Sequence, residues 1–195
     1  MSVLHTDPRR FARIAGVFYL LTFVFGIAAL RTSGDTRFAA SILGAAVYYV
    51  VTVMLYQLYK PVSRTGSLVT AVFSFGALTI GVLSDLGVVR FPINTLVLFG
   101  AYCIGLGWLT LKATFLPRAI GALLIVAGLG WLTYVHPALA NRLGVLAMAP
   151  GMIGEGVLTL WLLAAGVDPE RWRTQATQGK AWRNGGGEIT CQGLP

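Results

Sequence analysis

Residues 143–167 read LGVLAMAPGMIGEGVLTLWLLAAGV, an apolar run long enough to cross a bilayer as a helix. One carboxylate, Glu155, lies near the middle of the run, among a proline and several glycines. A carboxyl group at that depth is costly in free energy and usually faces the protein interior or a water-filled cavity. The stretch therefore predicts a membrane-spanning helix with a polar site at its centre.

Five further apolar runs of similar length make up most of the remaining chain, at 14–30, 38–59, 66–89, 93–111 and 119–135. Hydrophobic residues account for 56% of the 195 residues and charged residues for 11%, whereas soluble proteins average about 25% charged. So few charges could not cover the surface of a water-soluble fold. We therefore predict an all-α polytopic membrane protein, a bundle of six transmembrane helices surrounded by a lipid bilayer.

A net charge of +8 is also typical of nucleic-acid-binding proteins, so the positions of the charges must decide. Nearly all fifteen basic residues lie between the apolar runs. With both termini inside the cell, eleven of them fall on the inner side and four on the outer side. That positive-inside pattern predicts a multi-pass protein of the bacterial inner membrane with both termini cytoplasmic and no nucleic-acid partner.

The same pattern divides the chain into a basic cytoplasmic N-terminus (1–13), a transmembrane domain (14–167) and a cytoplasmic tail (168–195). The tail is polar and rich in glycine, with too few apolar residues to fold alone, so we predict that it is disordered. Deleting residues 174–195 is then expected to leave stability unchanged. Trp172 and Trp182 either contact anionic headgroups or are simply solvated.

Two features of the sequence, its short loops and its regularly spaced small residues, bear on packing rather than on chemistry. The loops are short, so consecutive helices are expected to be antiparallel neighbours. Small residues four apart predict close helix contacts at Ala12/Gly16, Ala40/Gly44, Ala77/Gly81 and Ala101/Gly105.

The sequence GLGWLT occurs twice, at 105–110 and at 128–133. It lacks the preceding strand that a dinucleotide-binding site requires, so we interpret Trp108 and Trp131 as anchors at the membrane interface.

Depth in the bilayer predicts a polar site around Glu155. Tyr48, Tyr49 and Tyr102 each lie near the middle of a run, and Thr159 lies one turn along the helix from Glu155. No basic residue lies at this depth, so desolvation favours the protonated carboxyl. The cluster is either a proton or cation site, the floor of a ligand cavity, or a protonated carboxyl that joins helices by a hydrogen bond.

Candidate polar residues on the outer side are Asp35, Asp85 and His136. His136 has no second histidine or carboxylate near it in sequence, so we interpret it as an interfacial residue without a specific role rather than as a metal ligand. The serines lack a histidine–acid partner, and the two cysteines, Cys103 and Cys191, fall at different depths. We identify no catalytic constellation and expect no metal or cofactor, so an enzyme is disfavoured.

Several segments resemble consecutive landmarks of a known family: RIAG (13–16), GDT (34–36), LYKPVSR (58–64), FLPRAIG (115–121), PGMIGE (150–155), LWLL (160–163) and GV (166–167). In this order, across residues 13–167, they resemble the domain of unknown function 4386 family of bacterial six-helix membrane proteins. The stretches 35–60 and 83–98 are shorter than is usual in that family, and Tyr102 stands where members often have a histidine. The resemblance implies the architecture and brings no established activity.

Three functions follow as hypotheses. The first is a component of a small-solute or proton-coupled permease with its polar site at Glu155. The second is a non-catalytic partner or assembly factor for another membrane protein, and a homo-oligomer is also left open. The third is an intramembrane enzyme. A water-filled cavity around Glu155 would favour the first, and a dry bundle with a groove of small residues on its lipid face the second. A second ionisable group within hydrogen-bond reach of Glu155 would favour the third.

Overall fold

The computed structural model describes residues 7–89 and 94–183. In this part of the chain the secondary structure is helical, with no β-strand, and the helices are α1 (Pro8–Arg31), α2 (Gly34–Tyr59), α3 (Arg64–Asp85), α4 (Thr95–Lys112), α5 (Arg118–Leu132), α6 (Pro137–Leu143), α7 (Val145–Ala164) and α8 (Pro169–Arg183). Six of the described helices, α1 to α5 and α7, are long and apolar enough to cross a bilayer, α5 together with the 3₁₀ turn Thr133–Val135. The predicted all-α fold with six spans is confirmed.

The spanning helices form a ring in chain order. Each of α1 to α4 packs against the next helix, α5 packs against α7, and α7 returns to contact α1. Consecutive helices are neighbours because the short loops between them reach only an adjacent position in the bundle. We call the end of the ring that contains Asp85 and Thr95 the Asp85 end, and the opposite end the α8 end.

The first helix begins at Pro8, six residues earlier than the apolar run. Proline is favoured at the first helical position, and the Asp7 side chain caps the helix by accepting from the Arg10 amide at 3.0 Å. The segment predicted as a basic N-terminus is therefore partly helical. Its arginines reach α7: the guanidinium of Arg13 donates to the Ala164 carbonyl at 2.8 Å, and that of Arg9 to the Ala165 carbonyl at 3.1 Å. Both satisfy carbonyl groups that the end of α7 leaves open.

Glycines set the closest helix approach, between α4 and α5. A Cβ atom at Gly107 would lie 2.7 Å from the Gly121 carbonyl oxygen, and one at Gly128 would lie 2.6 Å from that of Gly100. Between α1 and α7, a Cβ at Gly16 would lie 2.8 Å from the Leu163 nitrogen. These backbones can touch only because the side chains are absent.

The predicted close contact at Ala77/Gly81 is wrong, and its glycine has a different role. Nothing lies within 4 Å of a Cβ built on Gly81, and both residues line a cavity instead. In contrast, the Ala12/Gly16 and Ala101/Gly105 pairs do mark close approaches, to Leu163 and to Thr70. Small residues at this spacing therefore serve two purposes in the bundle.

The predicted disorder of the tail is wrong for residues 169–183, which form α8 across the end of the bundle. Trp172 is 2% exposed, and its indole N–H donates to the Leu58 carbonyl at 3.0 Å. Gln175 accepts from the Thr114 amide at 3.2 Å and donates to the Lys112 carbonyl at 3.2 Å. The helix forms because one buried indole and a few polar side chains complete the backbone groups left open by α2 and α4. The interpretation of Trp172 as a headgroup contact is likewise wrong, and residues 184–195 lie outside the described part.

Candidate functional site

Glu155 lies inside the ring, 5% exposed, and receives hydrogen bonds from four other spanning helices. Its Oε2 atom accepts from the Tyr19 hydroxyl at 2.9 Å and from the Tyr48 hydroxyl at 3.2 Å. Its Oε1 atom accepts from the Trp131 indole N–H at 3.4 Å and from the Cys103 thiol at 3.7 Å. These five residues, from α1, α2, α4, α5 and α7, are called the Glu155 cluster below.

The two oxygens of the Glu155 carboxyl group have hydrogen-bond partners of different kinds. An indole N–H can only donate, so Oε1 must be an acceptor. The hydroxyls at Oε2 can donate or accept, and the Tyr19 and Tyr48 hydroxyls also lie 3.0 Å from each other. A proton on the carboxyl would therefore reside on Oε2, where a tyrosine oxygen can accept it. The cluster can gain or lose one proton while each partner keeps a hydrogen bond.

Electrostatic compensation by a base is missing from this site. In residues 7–89 and 94–183, no lysine, arginine or histidine forms an ion pair with Glu155, and the described ion pair joins Asp168 and Arg171 at the surface of α8. An ionised Glu155 would thus be stabilised by hydroxyl, indole and thiol dipoles alone. A cation entering from outside the protein would find an uncompensated partner.

The predicted site residues are brought together only in part. Tyr48 bonds the carboxyl directly, whereas the Thr159 hydroxyl donates to the backbone carbonyl of Glu155 at 2.8 Å. Tyr102 stacks edge-on against Tyr48, with ring centroids 6.1 Å apart, but its buried hydroxyl has no hydrogen-bond partner in the described residues. Tyr49 points away from Glu155 and bonds the Thr79 hydroxyl at 2.8 Å, because adjacent helical residues face about 100° apart. Its inclusion in the site was wrong.

Sequence reasoning missed Tyr19, Cys103 and Trp131. Cys103 lies near the middle of its run, 93–111, so the depth argument that selected Tyr48 would have found it. Tyr19 lies toward the start of the run 14–30 and is central only because α1 begins at Pro8. Trp131 was assigned to the membrane interface, yet it is 5% exposed and bonded to Glu155. Trp108, its counterpart in the repeat, is exposed, with the Lys112 ammonium 3.9 Å from its ring centroid. The two copies of the repeat therefore have different roles.

Gly151 makes room for the Trp131 indole, and its replacement is expected to disturb the cluster. A Cβ atom at Gly151 would clash with the Nε1, Cε2 and Cζ2 atoms of that ring. Gly151→Ala is expected to displace the indole and to lower the free energy of unfolding by about 1–3 kcal/mol, the usual cost of overpacking. Gly156→Ala is the matched control on the same helix, since nothing lies within 4 Å of its Cβ position. Equal thermal denaturation of the two variants in detergent would contradict the assigned role of Gly151.

A cavity of about 450 Å³ extends from the Glu155 cluster to the Asp85 end, and is called the Asp85 cavity below. Tyr48, Trp131 and Glu155 contribute to its wall in the middle of the bundle, while Leu30 and Asp85, both exposed, lie at its open end. All six spanning helices line it. The space exists because small side chains face it, namely Gly26, Ala40, Gly44, Ala45, Ala77 and Gly81.

The other half of the bundle is closed. Between Glu155 and α8 the interior is filled by large side chains that are almost fully buried, namely Leu58, Leu106, Leu109, Leu158 and Leu162. A space of about 10 Å³ lies there next to Ser67 and Tyr102. The Asp85 cavity is thus accessible from one end, and Glu155 lies where the open half meets the packed half.

The three polar residues predicted on the outer side are separated. Asp85 accepts from the Ser41 hydroxyl at 2.6 Å and lines the Asp85 cavity. Asp35 is exposed in the first turn of α2, and His136 is exposed at the start of α6. Across the described residues, no three His, Cys, Asp or Glu side chains are grouped as metal ligands would be.

One known family matches the half of the ring that contains Glu155. The model of the family described as "Domain of unknown function (DUF4386)" matches residues 93–166. This match confirms the resemblance over α4 to α7, the part of the chain that contains Cys103, Trp131 and Glu155. No curated protein and no solved structure matches the chain.

The matched segment, residues 93–166, and the preceding helices contribute to one site. Tyr19 and Tyr48, which bond Oε2, come from α1 and α2 and lie outside the matched residues. Trp131 and Cys103, which bond Oε1, lie inside them. The Glu155 carboxyl therefore joins the matched segment to the N-terminal helices.

Proposed function

We propose that this protein is a proton-coupled permease for a small solute, or the membrane component of one. The solute site is the Asp85 cavity, and Glu155 is the group that binds the proton. One observation carries the proposal: Glu155, a buried carboxyl with no basic ion-pair partner in residues 7–89 and 94–183, forms part of the wall of a cavity that is open at one end. Apolar pockets of roughly 300–1,000 Å³ with a few polar groups are typical ligand sites.

A permease needs a site that is reached from one side at a time, together with a group whose charge changes during the cycle. The packed half of the bundle supplies the barrier in the present state, and the Glu155 cluster supplies a carboxyl that keeps its hydrogen bonds with or without a proton. The positive-inside pattern supports an orientation in the bacterial inner membrane with α8 and both termini cytoplasmic. The Asp85 cavity then opens to the outside of the cell.

The two other functions have less support. An assembly factor would have no need for a cavity that reaches a buried carboxyl. An intramembrane enzyme gains some support from the Cys103 thiol, which lies 3.7 Å from Glu155 Oε1. However, Cys103 is 0% exposed and is not among the residues lining the Asp85 cavity, so a solute in that cavity does not meet the sulfur atom.

Cysteine accessibility tests both the orientation and the open end. Ala45 lines the Asp85 cavity, whereas Leu43, at nearly the same depth on α2, is 51% exposed on the outer surface of the bundle. A membrane-impermeant maleimide added to intact cells should modify Ala45→Cys rapidly and Leu43→Cys slowly, because thiols ionise in water and not in lipid. Wild type measures the reaction of the native cysteines. Equal rates at both positions, or reaction of Ala45→Cys only in inverted vesicles, would contradict the proposal.

A second reporter tests whether the closed half opens, as a transport cycle requires. Ala71 is buried beside the small space in that half. Ala71→Cys should react slowly with a permeant maleimide, and adding Glu155→Gln should change its rate and that of Ala45→Cys in opposite directions. A rigid assembly factor would leave Ala71→Cys unreactive and independent of position 155.

A further inference from the structure

We infer that the solute bound in the Asp85 cavity is a hydrophobic organic cation, held between the Asp85 carboxylate at the open end and Glu155 at the inner end. This assignment rests on the proposed function and adds the chemical class of the ligand. Three features of the cavity wall carry it: the sign of its charges, its aromatic rings and its predominantly apolar surface.

The charges of the wall have one sign. Among the described residues that line the cavity, the ionisable acids are Asp85 and Glu155, and there is no lysine, arginine or histidine. An anion would enter against two carboxyl groups with no compensating base. A cation would instead meet a carboxyl group at each end, with no basic side chain among the described lining residues, and such pairing stabilises a buried charge.

Aromatic rings line the space next to Glu155. Phe99 lies edge-on to Tyr48 with centroids 5.4 Å apart, and edge-on to Trp131 with centroids 6.2 Å apart. Phe23 adds a fourth ring from α1. Aromatic faces attract organic cations, by about 2 kcal/mol when water is excluded, and they also accept an apolar body. A small hydrated metal ion would gain little here, since Ser41 and Thr22 are among the few other polar side chains.

Binding of such a cation explains how a proton is exchanged. The protonated carboxyl is neutral and holds its proton on Oε2, towards Tyr19 and Tyr48. A cation that approaches through the cavity favours the carboxylate, so the proton leaves Oε2 for water in the cavity and one positive charge replaces another. The hydrogen bonds from Trp131 and Cys103 to Oε1 are retained throughout.

Equilibrium binding of two probes with the same shape and opposite charge tests this inference. Radiolabelled tetraphenylphosphonium and tetraphenylborate are titrated against the full chain in nanodiscs made of neutral lipid, with empty nanodiscs as the blank. The protein should bind the phosphonium at least about tenfold more tightly than the borate. Glu155→Gln and Asp85→Asn should each weaken phosphonium binding several-fold. Asp35→Asn, at an exposed carboxyl outside the cavity, should leave it unchanged.

Protection of Ala45→Cys locates the bound probe. Saturating phosphonium should slow maleimide modification of this cysteine, and the borate should not. Equal binding of the two probes, protection by the borate alone, or phosphonium binding that is unaffected by both Glu155→Gln and Asp85→Asn would overturn the cation assignment. Those results would leave the permease proposal standing if Ala71→Cys still responds to position 155. Loss of that response would remove the permease proposal as well.

Discussion

Glu155→Leu is expected to lower the free energy of unfolding by about 2–4 kcal/mol, whereas Glu155→Gln should stay within about 1 kcal/mol of wild type. Leucine fills the space but leaves the Trp131 N–H and one tyrosine hydroxyl without an acceptor, and each such buried donor costs about 1–3 kcal/mol. Glutamine keeps an oxygen towards Trp131 and presents its amide N–H groups to the tyrosine oxygens. Reversible denaturation in mixed micelles measures the difference.

The same pair of variants separates a structural carboxyl from a proton carrier. If Glu155 only joins helices, the Gln variant should behave as wild type in the accessibility and binding assays. If it carries the proton, the Gln variant should fold, change the Ala45→Cys and Ala71→Cys rates in opposite directions, and bind the phosphonium several-fold more weakly. A hydrophobic carbodiimide, which attacks protonated carboxyls, should label wild type at neutral pH and leave Glu155→Gln unlabelled. A Glu155→Leu variant with the stability, cysteine accessibility and phosphonium binding of wild type would show that Glu155 is not part of the site.

Trp172→Ala is expected to destabilise the folded bundle by about 3 kcal/mol, the usual cost of removing a buried aromatic side chain. The indole is buried against the bundle, and its N–H satisfies the Leu58 carbonyl. Trp172→Phe should recover most of the loss, because it restores the ring and lacks only the hydrogen bond. Trp161→Ala is the control, since Trp161 is 39% exposed on the outer surface.

Truncation provides a second measurement of the same contact. A chain that ends at Arg183 keeps all of α8 and should denature like wild type, whereas a chain that ends at Asp168 should lose stability at least as strongly as Trp172→Ala. Composition alone, in contrast, assigns all of residues 168–195 to a disordered tail. Identical melting of the two truncated chains would show that α8 does not stabilise the bundle.

Apolar run length and the position of one carboxyl predicted the spanning helices and the centre of the site, because both are set by the cost of polar groups in lipid. They could not predict which aromatic residues surround Glu155, because that depends on helix rotation. Tyr48 and Tyr49 are adjacent in sequence and equal in depth, yet one bonds Glu155 and the other bonds Thr79 on α3. Trp131 was unpredictable for a related reason: a glycine on another helix, Gly151, lets the indole turn inward.

The tail shows the limit of composition as a guide. Residues 169–183 are polar on average, and a polar segment of that length cannot bury enough apolar surface to fold by itself. It folds here because the bundle offers unsatisfied carbonyls at Leu58 and Lys112 and a space that accepts Trp172. The sequence of the tail does not reveal this contact, because the surface that binds Trp172 belongs to the bundle.

Closure of the ring by α1 and α7 has a consequence for the order of biogenesis. Chains enter the membrane from the N-terminus, so the helices carrying Tyr19, Tyr48, Cys103 and Trp131 are synthesised before the helix that carries Glu155. The carboxyl is therefore synthesised last of the five, after all four side chains that donate hydrogen bonds to it. A nascent chain that stops before α7 lacks both the carboxyl and the helix that closes the ring, so it cannot form the Glu155 cluster.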